Sequence, residues 1–112
     1  MIEVLLYNYL NNAGLSAHVY TEQPPEKHER FFLMEKTGGI VTEHITESTI
    51  AIQSLAESMY EAASMNEEIK TVMEQAINLP DISRVEINSD YNYTDTATKK
   101  YRYQAVFVVT HY

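Results

Sequence analysis

The chain has 112 residues, 45% of them hydrophobic and 21% charged, which is typical of a single folded domain and excludes a disordered chain. It has no cysteine, which excludes disulfide frameworks, thiol nucleophiles and cysteine metal sites. Its formal net charge of −8 disfavours binding to nucleic-acid backbones or anionic membranes, since clusters of Lys and Arg hold both. We therefore expect one domain over residues 1–112, with no cofactor and no membrane partner.

The predicted elements begin with a short amphipathic helix. Its apolar residues recur at the i, i+3, i+4, i+7 and i+8 spacing of one helix face. They are Ile2, Leu5, Leu6, Tyr9 and Leu10. Gly14 follows, and we expect it to adopt the left-handed conformation that often ends helices.

Two strands are predicted next. Residues 17–20 alternate between apolar and polar side chains, which is typical of a short strand. The Pro24-Pro25 pair predicts a loop, because proline lacks the N–H that a sheet ladder needs. Residues 31–34 are apolar at every position, as in a strand covered on both faces. Gly38-Gly39 then predicts a tight turn towards the next strand.

The longest predicted strand covers residues 43–53, which are rich in β-branched side chains. Its apolar positions change from odd at Ile45 to even at Ile50 and Ile52. A regular strand cannot place all three on one face, so we predict a bulge or a change of covering near Glu47-Ser48.

A long amphipathic helix follows this strand. Two capping boxes offer alternative starts, one beginning at Ser54 and one at Ser58. Apolar residues at helical spacing continue to Ile77. Pro80 predicts the end of the helix, because the residue before proline is disfavoured in helical conformation.

The rest of the chain predicts one hairpin. Residues 84–89 alternate, with Val85 and Ile87 expected to point inward, residues 91–100 form a polar loop, and residues 101–112 form a long strand. The element order is helix, strand, strand, strand, helix, strand, strand. It predicts an α+β domain with a mostly antiparallel sheet of about five strands and two helices packed on one face.

Two strands carry apolar side chains on both faces. They are residues 31–34 and 105–109. Two helices cover roughly one face of such a sheet, so the second face needs another cover. Large exposed apolar patches usually mark interfaces, and identical copies commonly provide the partner. We expect a homo-oligomer; the alternative is that loops or sheet curvature bury both faces within one subunit.

Several segments together resemble the tail terminator proteins of long-tailed bacteriophages, also called tail completion, minor capsid or head–tail joining proteins. The likeness lies in the amino-terminal helix, the proline loop and four later segments. These are RFFLMEKTGG at 30–39, a strand ending in Gln53-Ser54, AESMYEAA at 56–63 and KYRYQ at 100–104. The resemblance covers nearly the whole chain and is one of pattern, without an invariant signature.

The resemblance implies a small α+β subunit that assembles as a hexameric ring, made in the bacterial cytoplasm and located at the end of the virion tail. The ring would cap the tail tube protein, stop tube growth and bind the head connector protein, while DNA passes through its lumen without specific binding. No catalytic residues are implied. The candidate assembly contacts are Phe32, Met34, Gly38, Gly39, Tyr91, Tyr93, Lys99, Lys100 and Tyr101.

Sequence motifs give little support for a metal site or for catalysis. Glu26, His28 and Glu29 form a conceivable metal cluster, but no histidine shows the spacing of a known metal motif. No nucleophile elbow or phosphate-binding loop is present, so we predict a protein that is not an enzyme. The tyrosines around the last hairpin have three possible roles: cross-strand aromatic pairing, contact with another protein, or stacking on nucleic-acid bases. The competing functional class is a small intracellular α+β ligand-binding or dimeric accessory module.

Overall fold

The computed structural model describes residues 1–24, 29–94, 97 and 100–112. Within them the chain forms two α-helices, one 3₁₀ turn and five strands. These are α1 (Ile2–Asn11), β1 (Val19–Tyr20), β2 (Phe31–Thr42), β3 (Ile45–Ala56), α2 (Met59–Gln75), the 3₁₀ turn (Ala76–Asn78), β4 (Ile82–Asn92) and β5 (Tyr101–His111). The predicted α+β class and element order are confirmed.

The five strands form one mixed sheet in the order β1-β2-β3-β5-β4. All neighbouring strands are antiparallel except the short β1, which runs parallel to β2. The sheet is therefore mostly antiparallel, as predicted.

Both helices pack on the same face of this sheet. Leu6 and Leu10 of α1 and Met65, Ile69 and Met73 of α2 are fully buried or nearly so, in one cluster with residues from the strands. The Tyr9 hydroxyl donates a hydrogen bond of 2.8 Å to the Val72 carbonyl, which ties the two helices together. The strand residues of this cluster are Val19, Phe32, Met34, Ile50, Ile52, Ala56, Ile82, Ala105, Phe107 and Val109.

The turn between β2 and β3 differs from the prediction. Gly38 and Gly39 lie inside β2, just beyond a register shift that follows Lys36. The chain reverses at Glu43 and His44, whose φ angles of 48° and 71° are those of a tight hairpin turn. Sequence reasoning preferred the glycines because they enter positive φ without steric cost.

The predicted bulge near Glu47-Ser48 is also wrong. β3 pairs with β5 in unbroken register from Thr46 to Ala56. The parity change has a simpler cause, because Ile45 lies beside the turn and is 43% exposed rather than inward-facing.

Of the two possible starts for α2, the structure selects Ser58, whose hydroxyl accepts a hydrogen bond of 3.2 Å from the Glu61 amide. Ser54 belongs to β3 and is fully buried between strands. The α-helix ends at Gln75 and its 3₁₀ extension at Asn78, before Pro80 as predicted. Gly14 has the predicted left-handed conformation, with φ of 78°. Neither helix in the described part of the chain combines the length and apolar character needed to cross a bilayer.

Candidate assembly surface

The side of the sheet opposite the helices forms a continuous surface, which we call the open face. Side chains of a strand alternate between the two faces, and the even residues of β3 and of β2 as far as Lys36, where its register shifts, point to the helices. The odd residues of these strands, together with their cross-strand partners on β5, therefore form the other side. The centre of the open face consists of Leu33, Thr49, Ala51, Gln53, Leu55, Gln104, Val106 and Val108.

None of these central side chains carries a charge, although the whole chain has a net charge of −8. Leu33, Leu55, Val106 and Val108 are half-buried, which leaves part of each side chain accessible. Ala51 is only 6% exposed because its methyl group lies low among its neighbours. The expected uncovered face thus exists, but its apolar groups shield one another in part rather than standing fully exposed.

A row of hydrogen bonds crosses the open face. The Gln53 Nε2 amide donates to the Gln104 Oε1 atom over 3.1 Å. The Gln104 Nε2 atom in turn donates to the Tyr91 hydroxyl. These bonds join β3, β5 and β4 and fix the side chains in a flat arrangement suited to contact with another surface.

An aromatic corner lies at one end of the open face. The Tyr91 and Tyr93 rings meet edge to face with centroids 5.7 Å apart, and they are 40% and 44% exposed. The Arg102 guanidinium lies 4.5 Å from the centroid of the Tyr93 ring and donates from Nε to the Tyr93 carbonyl over 2.8 Å. Tyr and Arg are enriched at protein interfaces, so this corner has the composition of a contact surface.

The predicted cross-strand tyrosine pairing is not what the structure shows. Tyr91 and Tyr93 lie on the open face and contact each other, whereas Tyr101 and Tyr103 lie on the opposite face and pack against the core under the helices. The alternation of β5 separates Tyr101 and Tyr103 from Arg102 and explains the difference.

Two of the predicted assembly contacts need correction. Phe32 and Met34 are 0% and 2% exposed beneath the helices, so their side chains are not available to a partner. The sequence argument identified a two-sided strand correctly but took the wrong parity for its outer side, which is formed by Leu33 and its neighbours.

The other predicted contacts lie near the surface. Gly38 and Gly39 are exposed on β2, Lys100 is exposed, and Tyr101 is half-buried against the core. Lys99 lies outside the described residues. No sequence signal marked Leu55, Val106 or Val108 as surface residues; only the register of β3 against β5 assigns them to the open face.

Acidic side chains are concentrated on the helix side of the molecule. The surface of α2 carries Glu61, Glu67, Glu68 and Glu74. Its one basic residue, Lys70, is 2.7 Å from Glu67 and 2.6 Å from Asp90 of β4. The molecule therefore has an acidic helix side and an open face whose centre is uncharged, with charged residues such as Glu35 and Glu86 around it.

The described residues contain no group of three or more His, Asp or Glu side chains arranged to hold a metal ion. Glu26 and His28 of the conceivable metal cluster lie outside the described residues. Ser48 and His111 are 2.8 Å apart, but Ser48 is fully buried, so this pair joins β3 to β5 rather than meeting a substrate.

Comparison with protein-family models and with curated protein sequences finds no match for this chain.

Proposed function

We propose that this protein is a phage or prophage virion assembly protein that acts as a tail terminator. Identical subunits form a ring, with six copies in the assembled tail, which caps the tail tube and joins it to the head connector at the end of the virion tail. The residue pattern that resembles this family supports the proposal, and so does the α+β architecture. Its action is steric and involves no catalysis.

The observation that carries the proposal is the centre of the open face, which is uncharged and partly apolar. A subunit with a net charge of −8 repels other acidic proteins over distances of about the Debye length, roughly 8 Å at physiological ionic strength. Contact is least unfavourable where charge is absent. The centre of the open face meets this condition, with Glu35, Glu47 and Glu86 around it, and the acidic surface of α2 does not.

The aromatic corner gives this surface its anchor residues. Tyr91, Tyr93 and Arg102 are exposed side chains that are already held in place by ring contacts and hydrogen bonds. Side chains that are fixed before binding lose less conformational entropy when a partner arrives. We assign this corner to contact with the tail tube or connector.

The proposal is tested by interrupting the gene in the phage or prophage that carries it and examining particles by electron microscopy. Loss of a terminator should give tails of irregular, excessive length and heads without attached tails. The wild-type gene supplied in trans should restore normal particles, whereas Val108→Asp should not, because it places a charge at the centre of the open face. Glu68→Gln on the helix side is the matched control and should restore them. Normal tails without the gene would refute the proposal.

The competing ligand-binding module finds one observation in its favour, a groove of about 420 Å³ between α1 and β2. Its volume is in the range of small-molecule sites. Native mass spectrometry of protein purified from its host separates the two: a retained small molecule on a monomer favours the module, and oligomers without added mass favour the assembly protein.

A further inference from the structure

The sheet ends on both sides in a strand with an unpaired edge. β1 pairs with β2 only at Phe32 and Leu33, so within the described residues the backbone of positions 34–42 has no strand on that side. At the opposite end, β4 pairs with β5 alone. Long unpaired edges are templates for strand addition, and proteins usually cover them or pair them.

A groove borders the free edge of β2 on the helix side. Its apolar part is formed by Met1, Val4 and Tyr7 of the amino-terminal region and by Met34 of β2. Val4 is 51% exposed, which is unusual for an aliphatic residue beside the core. A strand added to β2 would place every second side chain into this groove.

The free edge of β4 carries side chains that fit such a groove. Val85 and Ile87 face the same side as the helices, since their partners Val109 and Phe107 belong to the core. Ile87 is nevertheless 52% exposed, because it lies in an open groove between α2 and β4. The predicted inward direction of Val85 and Ile87 is thus confirmed, but the cover over Ile87 is missing from a single subunit.

We propose that the free edge of β4 in one copy pairs with residues 34–42 of β2 in the next copy, extending the sheet from subunit to subunit. β2 and β4 run in opposite directions within the sheet, so a neighbour in the same orientation presents an antiparallel partner. Val85 and Ile87 of one copy then enter the groove beside Val4 of the other, where α1 covers them.

The charges of the two edges permit this contact. Glu35 and Lys36 on β2 sum to zero, as do Arg84 and Glu86 on β4, which form an ion pair. Asp90, the remaining charged residue of β4, is held by Lys70 within its own subunit. Neither edge therefore contributes net charge, in contrast to the acidic surface of α2.

Gly38 supports close approach of a second backbone. Its φ is not positive, and a Cβ atom built on it meets nothing within 4 Å. The isolated subunit therefore gives no reason for glycine at this position. Glycine in a strand often marks a place where another backbone comes close, and Gly38 lies in the unpaired stretch of β2.

Pairing of two different edges is a heterologous contact, which closes into a ring when the rotation between subunits permits. The ring at the tail end rests on the proposed function, but the edge contact itself does not. The edge contact also leaves the open face free to bind the tube or the connector.

The absence of cysteine allows a direct cross-linking test. Val4→Cys and Ile87→Cys variants are purified separately, mixed, treated with a short bismaleimide and digested for mass spectrometry. Each has a single thiol, so every cross-link joins two copies. A contact brings the thiols to an effective concentration near the millimolar range, so we expect the 4–87 product roughly tenfold or more above the 57–87 product of a Glu57→Cys control.

Other outcomes overturn the edge contact. A dominant 4–4 or 87–87 product would show contact between identical edges. A 108–108 product from Val108→Cys without 4–87 would show that open faces stack. No product above the control, at concentrations up to about 1 mM where weak contacts begin to form, would show that the edges do not meet.

A second variant checks the role of Gly38. Gly38→Val fits the isolated subunit and should leave its melting temperature unchanged or higher, since valine favours strands. It should lower the 4–87 yield several-fold by obstructing the neighbour, whereas Thr49→Val, opposite Gly38 on the inner strand β3, should not. A 4–87 yield unchanged by Gly38→Val, with the subunit folded, would refute the close approach.

These results are distinguishable from failure of the proposed function. A 4–87 product together with normal tails after gene interruption would refute the terminator role and retain the contact. Irregular tails without the product would do the reverse.

Discussion

Asp90 is the residue on which the packing of α2 against β4 depends most. Asn66, which is 2% exposed, donates to one carboxylate oxygen over 2.6 Å, and Lys70 donates to the other over 2.6 Å. Burial alone would raise the pKa of Asp90, but the hydrogen bonds from Lys70 and Asn66 and the charge of Lys70 outweigh it and lower the pKa. The hydrogen bonds to Asp90 and Glu67 raise the pKa of Lys70 correspondingly.

This cluster predicts a pH dependence of stability in acid. A lowered folded-state pKa stabilises the fold fully above the unfolded value of about 3.9, and the contribution is lost as the pH falls through the folded pKa. Asp90→Asn should lower the free energy of unfolding at pH 7 by about 1 kcal/mol, because water partly screens the pair. Urea titrations between pH 7 and pH 2.5 measure the free energy of unfolding of the wild type and of this variant, with Asp81→Asn as control. Equal losses in both variants would contradict the prediction.

At the scale of single residues, sequence reasoning identified which positions are apolar but not which way they face. Phe32 and Leu33 are adjacent and both apolar, and only the pairing with Ser54 and Gln53 shows which one lies under the helices. Asp90 could not be identified, because its partners are 20 and 24 positions away in the chain.

At the scale of elements, the two serines that compete for the start of α2 predict opposite effects. Ser58→Ala removes the hydroxyl that caps the Glu61 amide and should cost about 1 kcal/mol of stability. The Ser54 hydroxyl is buried without a hydrogen-bond partner, so Ser54→Ala should leave stability unchanged or raise it by up to about 1 kcal/mol. Chemical denaturation of both variants measures the difference. A larger loss for Ser54→Ala would show that its hydroxyl has a partner.

The β2–β3 turn gives a second prediction at this scale. Glu43 and His44 both hold positive φ, which side chains other than Asn, Asp and Gly adopt at a cost. The double substitution Glu43→Asn with His44→Gly supplies the residues preferred in this turn and should raise the free energy of unfolding by about 1 kcal/mol. His44→Val is the opposite control and should lower the melting temperature. A lower melting temperature for the double variant would contradict the assigned turn.

Elements with strong local signals were predictable. The stripe of α1 and the proline after α2 depend on neighbouring residues only, and both were placed correctly. The β2–β3 turn was not, because β2 continues through Gly38-Gly39 by pairing with β3, and this tertiary pairing outweighs the local preference of glycine for turns.

At the scale of the whole molecule, the separation of charge predicts an unusual salt dependence. Subunits with a net charge of −8 repel one another, and added salt shortens the range of this repulsion from about 30 Å at 0.01 M to about 10 Å at 0.1 M. Self-association should therefore strengthen as NaCl rises over this range. Sedimentation equilibrium measures it, with sucrose in place of salt as control. Dissociation by salt would show that ion pairs between copies dominate the contact.

The overall architecture followed from counting: two helices cover one face of a five-stranded sheet, and the other face stays open. What meets that face could not be obtained in the same way. The side of the sheet on which Val106 lies could not be predicted, because it depends on the register of strands that are distant in the sequence.

The alternation of β3 divides its residues between two tasks. Ile50 and Ile52 hold the subunit together, while Thr49, Gln53 and Leu55 are partly exposed on the open face. Substitutions at every second position can thus change the open face without disturbing the interior. Under the proposed tail function, a lineage whose tube and connector proteins diverge could adjust this subunit to them one alternate residue at a time.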